Sequence, residues 1–455
     1  MQTDRTVRPI GSEQINFVVP QIQSYKLKNG LKIFFSKKDD LPIIRINFLI
    51  NSGSKFDPGN FNGLNNLFAM CIDEGAGEYN ALQLADKFEM LGAQFSVSAD
   101  PDIIVISLQV LKENFSEALK LFASVIITPH LSENDFNREK KKVITRLEQV
   151  KVEPDYLADS AFDYFLFGSE SPYAYPILGT EVTIKNIQLE HIKNDYKKRF
   201  QPSNSSMIVV GNIDWETLHS ELIQVFDNWN GGLDIKELDF GTNKSQENVV
   251  IVNKPESFQT EIRIGCLSTK RNQTDFFQKQ LLNLILGGQF SSRLNLNLRE
   301  KHGYTYGIHS RFNYLQEAGY FVVATSVDLE KTSAALKEIF YELNHIRKGI
   351  TPDELNFARS SMLKRFPSNF ETYRQIAGNI SSKIIHYLPD DYFESYVDNL
   401  SSVSLDSVNQ MASNSISSNE LVTILVGDSN LLLKQLSGTD FGQIKNLEFQ
   451  EIFDN

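Results

Sequence analysis

The sequence predicts an α+β fold made of two homologous α/β halves, each an antiparallel-rich sheet with helices packed on it. Three observations predict it. The 455 residues exceed one ordinary core, so more than one domain is expected. One order of elements (helix, helix, Gly, strand, strand, helix, long helix) reads twice along the chain. Short signatures also recur in matching places. Gly92-x-x-Phe95 answers Gly303-x-x-Tyr306, and MIVVGNID from Met207 answers TILVGDSN from Thr423. A repeat this long marks a duplicated domain, because solenoid periods are far shorter. The expected divisions are an N-terminal arm at 1–20, a first half at 21–229, a linker at 230–246 and a second half at 247–455.

In the first half, Tyr25 to Asn29 and Leu31 to Ser36 flank an Asn29-Gly30 turn and read as a hairpin. Pro42 to Asn51 is a long apolar strand. Gly63 to Glu74 and Ala81 to Leu91 are helices, the second ended by Gly92. Gln94 to Ser98 and Ile103 to Val110 are strands, and Phe115 to Ile127 is an amphipathic helix. Glu133 to Val152 is a long helix whose run Arg138 to Lys142 reads as a solvated face. Pro154 breaks it, and Tyr156 to Phe167 resumes as helix. SPYAYPILGT at Ser171 to Thr180 is a Pro- and Gly-punctuated loop. A further helix, the strand Met207 to Gly211 and the helix Asp214 to Asn228 complete the half.

Asn230 to Gln246 has no sustained apolar period and carries Gly231-Gly232, the marks of a linker. Strands at Val249 to Asn253 and Glu261 to Leu267 restart the pattern. Helix Phe277 to Leu286 follows, then strands Thr305 to Phe312 and Tyr320 to Ser326. Thr332 to Ile346 is an amphipathic helix. Pro352 opens a helical region to His386, interrupted at Pro367. Leu421 to Gly427 is the last apolar strand.

Net charge is −12 with no basic stripe, which argues against nucleic acid and anionic membranes. No apolar run reaches the length of a membrane span. The N-terminus lacks a signal-peptide apolar segment, so the expected compartment is the cytoplasm, or a periplasm if a leader has been removed. Cys71 and Cys266 sit in apolar surroundings and read as small buried residues, not a disulfide framework.

The most informative stretch is LGGQFSSRLNLNLREKHGYTY, Leu286 to Tyr306. Gly287-Gly288 interrupts an apolar helix. They suit a tight connection; a phosphate loop would need a G-K-[ST] and a preceding strand. Ser291 and Ser292 can cap a second helix, on which Leu294 and Leu298 share a face. Gly303 suits its left-handed end. Tyr304, Tyr306 and Ile308 then alternate as a strand. Arg299 closes the helix and Tyr306 opens the strand, so guanidinium and phenol can reach one side of the junction. The residues also admit a plain reading: Arg favours a helix C-terminus and Tyr a strand. His302 and His309 lack a metal-ligand spacing and read as helix-end and surface residues.

These markers resemble the pitrilysin/insulinase-type zinc peptidases, the inverzincins, and within them the short-chain processing-peptidase-like branch. KLKNGLKIFF at Lys26, the helix after Gly63, SPYAYPILGT, FQPSNSSMIVVGNID at Phe200 and GGQFSSRLNLNLREKHGYTY carry the resemblance, over roughly residues 20 to 435. The family places H-x-x-E-H on a helix: two His at i and i+4 hold zinc and the Glu activates water. Here Asn66 stands at the first His, Ala69 at the Glu and Met70 at the second His. The distant third-ligand position falls at Leu147, with Glu148 as its neighbouring alternative. Asn is a poor zinc ligand, Met prefers softer metals and Ala cannot act as a base.

The resemblance therefore implies no metal or other cofactor in this chain and no peptidase activity from it alone. It also implies roles for Arg299 and Tyr306, which match the family's Arg/Tyr pair that reaches toward substrate at the zinc. The expected function is a non-catalytic subunit. Its halves would close clam-shell fashion against a homologous, zinc-motif-bearing partner, bind peptide substrate and complete the partner's site, as a dimer. The alternatives are a silent scaffold, as in core proteins of respiratory complexes, or a peptide carrier. The partner's identity, the peptide, and homodimer against heterodimer stay open.

Overall fold

The computed structural model describes residues 17–231, 249–416, 420–439 and 441–453. Most of the expected arm at 1–20 and of the linker at 230–246 lies outside the described residues. In chain order the first half contains β1 (Gln23–Lys26), β2 (Lys32–Lys37), β3 (Ile43–Ile50), α1 (Leu64–Cys71), β4 (Gly75–Ala76), β5 (Tyr79–Asn80) and α2 (Ala81–Met90). Next come β6 (Gln94–Ala99), β7 (Ile104–Leu111), α3 (Phe115–Ile127), α4 (Glu133–Val150) and α5 (Pro154–Phe167). The half closes with α6 (Glu181–Asn186), α7 (Leu189–Arg199), β8 (Ser205–Gly211) and α8 (Trp215–Phe226).

The second half runs β9 (Val249–Asn253), β10 (Gln259–Ser268), α9 (Phe276–Leu286), a π-helix (Asn295–Lys301), β11 (Ile308–Tyr314) and β12 (Gly319–Asp328). It continues with α10 (Thr332–Ile346), α11 (Pro352–Arg365), α12 (Tyr373–Ile385), α13 (Tyr396–Ser401) and α14 (Leu405–Ser415). It ends with β13 (Val422–Gly427), α15 (Ser429–Leu436) and β14 (Ile444–Leu447).

The duplication is explicit in the sheets. One has the order β1-β2-β8-β3-β7-β6 and the other β14-β9-β13-β10-β12-β11, position for position. β2 runs parallel to β8 as β9 does to β13, and the remaining inner neighbours are antiparallel in both. Only the outer strand differs. β1 is the antiparallel hairpin partner of β2, whereas β14 arrives from the chain's end and lies parallel to β9.

Each sheet buries one face under helices of its own half. Ile44, Ile46, Phe48 and Ile50 of β3 point into one such core, and Ile262, Ile264 and Cys266 of β10 into the other. The opposite faces are covered by exchange. Helix α5, from the first half, packs across β10 and β13. Helix α12, from the second half, packs across β3 and β8. A buried polar network adds a lock between the halves. Lys55 Nζ lies 3.0 Å from Asp102 Oδ1 and also bonds Gln316 Oε1. Tyr173 OH donates to Asp102 Oδ1 at 2.6 Å, and the Gln316 backbone N–H to Asp102 Oδ2 at 2.9 Å. Tyr173 comes from the SPYAYPILGT loop and Gln316 from the β11–β12 turn, so the network joins both halves.

The element order agrees with the sequence reading, with three corrections. The helix expected to carry Arg299 as a regular α-helix is a π-helix from Asn295. The strand expected from Thr305 begins at Ile308, because Thr305 and Gly307 bond each other in a turn. The run Arg138 to Lys142 is not simply a solvated face. Glu139 is buried, and Lys140 donates to the backbone oxygens of Lys185 and Ile187. Cys71 and Cys266 are both buried, as expected. Among the described residues no helix is long and apolar enough to cross a membrane.

Candidate functional site

Helix α1 is set by its N-terminus. Gly63 takes the left-handed conformation (φ 94°), and a Cβ there would lie 2.8 Å from Leu178 O. The Asp57 carboxylate accepts the N–H of Gly63 at 2.8 Å, the N–H of Asn65 at 3.0 Å and Asn65 Nδ2 at 2.7 Å. It thus satisfies first-turn donors that a local cap residue would otherwise serve. Burial still pushes its pKa up to about 7. Gly179 seats the SPYAYPILGT loop on the same corner, since a Cβ there would fall 2.1 Å from Asn62 O.

Beyond this corner α1 behaves as a packed helix. Leu64, Leu67, Phe68, Ala69 and Cys71 are buried. Asn66 and Met70, one turn apart, share the remaining half-buried face, and Asn66 Nδ2 lies 4.0 Å from Met70 Sδ. Leu147 on α4 is in the same apolar core, while the neighbouring Glu148 is exposed. The four positions thus offer one amide, one thioether, one methyl and one isobutyl group. That donor set does not fit zinc, which takes His, Cys or carboxylate. Among the described residues no group of three or more His, Cys, Asp or Glu could hold a metal ion.

Carboxyls do gather at the other end of α1, unremarked in the sequence reading. Glu74 pairs with Arg138 of α4, and Glu139 of α4 stands close to it. Burial, then the hydrogen bond and charge of Glu139, push the Glu74 pKa up to about 7. Glu139 is held in turn by Arg138 and Lys142.

The second candidate region is built on Asn295. Its Nδ2 donates to Ile308 O at 2.7 Å, and its Oδ1 accepts the Ile308 N–H at 3.4 Å. The first turn of the π-helix is thereby fixed to the start of β11. Ser292 was expected to cap this helix, but its Oγ instead meets Asn295 Nδ2 at 3.2 Å. Gly287 allows the close approach of β11: a Cβ there would lie 2.7 Å from Ser310 N. Leu294 and Leu298 are fully buried, and Gly303 ends the helix with φ 64°.

The segment between these anchors is a pinned turn. Thr305 Oγ1 donates to Gly307 O at 2.9 Å and accepts the Gly307 N–H at 3.1 Å. Thr325 Oγ1 on β12 lies 2.9 Å from Thr305 Oγ1 and 3.0 Å from Gly307 O. Tyr306 is the tip of this turn. It is 92% exposed, and its ring and hydroxyl have no partner among the described residues. Arg299 is also partly exposed. Its guanidinium stacks over Phe290 at 4.8 Å and lies 3.4 Å from Glu300. Phe290 and Leu296 are exposed beside it. His302 stacks on Tyr304, and His309 is exposed on β11.

Two sheet edges flank these regions. β6 (QFSVSA) carries no charge and neighbours α1, and its structural counterpart β11 follows directly from Tyr306.

Comparison with known proteins places these features. Residues 34–170 match the family described as Insulinase (Peptidase family M16), and residues 186–362 match the Peptidase M16 inactive domain. An uncharacterized zinc protease of Rickettsia bellii (strain RML369-C) is 26% identical over 338 residues, 74% of this chain and 81% of the relative. A protein named non-peptidase homolog YmxG, from Helicobacter pylori, is 24% identical over 401 residues, 87% of this chain and 91% of its own length. The crystal structure of a peptidase M16 inactive domain from Pseudomonas fluorescens superposes with a TM-score of 0.84 at 26% identity. It covers 90% of this chain and 98% of its own. With both halves matched in order and the duplicated sheets in register, the chain belongs to peptidase family M16, the insulinase family.

Proposed function

We propose that this chain is a zinc-free M16 subunit that completes the active site of a homologous partner carrying H-x-x-E-H. One contrast carries the reading. The helix that would hold the metal presents Ala69, Met70 and Asn66, while Arg299 on the π-helix and Tyr306 on the pinned turn remain presented to solvent. A tyrosine that is 92% exposed on a turn pinned by the Thr305 and Thr325 side chains adds little to packing. Its phenol and the Arg299 guanidinium are donors suited to a peptide carbonyl oxygen and to the oxyanion formed when water attacks it. Substrate would lie as an added strand along the uncharged edge β6, where main-chain hydrogen bonds demand little of the peptide sequence.

The test mixes the purified chain with a zinc-motif homologue and follows cleavage of a quenched fluorescent peptide library, with each protein alone as control. Activity is expected only in the mixture and is abolished by chelation. Arg299→Ala and Tyr306→Phe should leave the complex intact and lower kcat by about 10²-fold, the size of effect seen for a lost oxyanion donor. Unchanged turnover in both variants would remove their role. A second reading, a silent scaffold or peptide carrier, is favoured by the non-peptidase name of the Helicobacter pylori relative. A stable but inactive complex would support it.

A further inference from the structure

The two exchanged helices lie on their sheets over opposite electrostatics. Under α5, Arg263 of β10 is 4% exposed and holds three carboxylates: Asp155 and Asp159 of α5, and Glu261 on its own strand. The matching place under α12 can be read from register. Ile424 of β13 lies opposite Arg263 and Ile208 of β8 opposite Asn47, and Gly427 and Gly211 close those two strands three residues on. Asn47 therefore stands where Arg263 does, and Arg45 where Glu261 does. Buried positions align the helices: Leu157, Ala158 and Ala161 of α5 correspond to Ile376, Ala377 and Ile380 of α12. Asp155 then corresponds to Arg374, and Asp159 to Gly378. The three carboxylates of one clasp are replaced in the other by two arginines and a glycine.

Arg45 is 8% exposed. Its Nε donates to Asn47 Oδ1 at 3.0 Å, and Asn47 Nδ2 donates to Ser381 Oγ of α12 at 3.2 Å, which places the group at the helix–sheet seam. Ser107 Oγ adds a bond to Asn47 Oδ1 at 3.2 Å. Among the described residues no carboxylate pairs with Arg45 or Arg374. Burial first, and then the like charge of Arg374, hold the Arg45 guanidinium below its usual pKa. Arg374 and Gly378 are exposed one helical turn apart, and a Cβ at Gly378 would meet nothing within 4 Å. A buried guanidinium with no carboxylate partner is costly unless an anion joins it, and there is open space for one beside Gly378.

We propose that Arg45 and Arg374 form an anion site, seated beside Gly378, that takes a carboxylate. The carboxylate comes from an acidic bound peptide or from a small free acid. The other clasp shows which chemistry satisfies this seam, since there the helix supplies Asp155 and Asp159 itself. The site lies apart from Arg299 and Tyr306 and needs no catalytic partner, so it stands or falls separately from the proposed activity.

The test uses the full chain with Gly378→Asp, which supplies the carboxylate in cis, and Gly378→Asn as its uncharged match. Thermal unfolding is followed with and without citrate at constant ionic strength. Wild type and Gly378→Asn should gain about 2–4 °C in citrate. Gly378→Asp should show that gain without citrate and respond no further. Fluorescence anisotropy then compares two labelled peptides that differ only by Glu or Gln. About tenfold tighter binding of the Glu peptide, lost in Gly378→Asp, assigns the site to peptide carboxylates. Equal peptide binding with the citrate response intact assigns it to small free acids. No citrate response, with Gly378→Asp melting like Gly378→Asn, overturns the site.

Discussion

The seam under α5 and the seam under α12 are copies of one device with different contents. Both keep an apolar stripe that fixes where the exchanged helix lies, through Leu157, Ala158 and Ala161 in one and Ile376, Ala377 and Ile380 in the other. Among the described residues only the first neutralises its buried arginine, with Asp155, Asp159 and Glu261 around Arg263. Both add aromatic packing, from Phe162, Phe165 and Phe167 in the first and Phe366, Phe370 and Phe393 in the second, but the second leaves Arg45 with no carboxylate partner among the described residues. Duplication thus preserved the positions that bury area, because those decide docking. Polar positions at the same seam were free to diverge, because a single buried charge pair contributes little net stability over apolar packing.

The largest effect is expected where the comparison can be broken outright, at the lock between the halves. Lys55→Met leaves Asp102 buried with one cation fewer, and should destabilise the chain by about 3–5 kcal/mol. Calorimetry should show both halves melting earlier; a single early transition with the other unmoved would mean the seams hold without the lock. The two arginines sharpen the comparison directly. Arg263→Met removes the cation from three carboxylates and should cost about 2–3 kcal/mol, moderated by the exposure of Asp155 and Asp159. Arg45→Met removes an uncompensated cation and should be neutral or stabilising by up to about 1 kcal/mol. Equal losses in urea unfolding would refute the asymmetry.

A smaller effect is expected at α1. Glu74 has a folded pKa of about 7, above the usual unfolded value of about 4.3. The fold therefore favours its protonated form. Stability from this group is fully present below pH 4.3 and declines as pH rises toward 7. Glu74→Gln should flatten that slope and gain about 1 kcal/mol over wild type at pH 8, allowing for solvent screening. An unchanged pH profile of unfolding would place the slope on Asp57 or Asp73, whose pKa values are pushed up to about 7 and about 6 by burial. Smallest of all, Tyr306→Phe should shift stability by less than about 0.5 kcal/mol, since its side chain touches nothing that holds the fold.

Sequence alone determined the duplicated order of elements and that Asn66, Ala69, Met70 and Leu147 carry no imidazole, thiolate or carboxylate. Periodicity reports burial locally, and side-chain chemistry needs no coordinates. The left-handed end at Gly303 was legible for the same reason: a local backbone requirement selects the residue.

The π-helix at Asn295 was not legible, and its tie to β11 is a side chain bracketing the backbone of Ile308, thirteen residues on. The late start of β11 follows from Thr325, a strand away. Exchange of α5 and α12 left no local trace either. An amphipathic helix records that it buries a face, but not which sheet receives it. The tertiary structure decided that each half covers the other, that Arg263 meets carboxylates whereas Arg45 meets none among the described residues, and that Tyr306 is exposed. Each of these depends on groups far apart in the chain that meet only when both halves are folded.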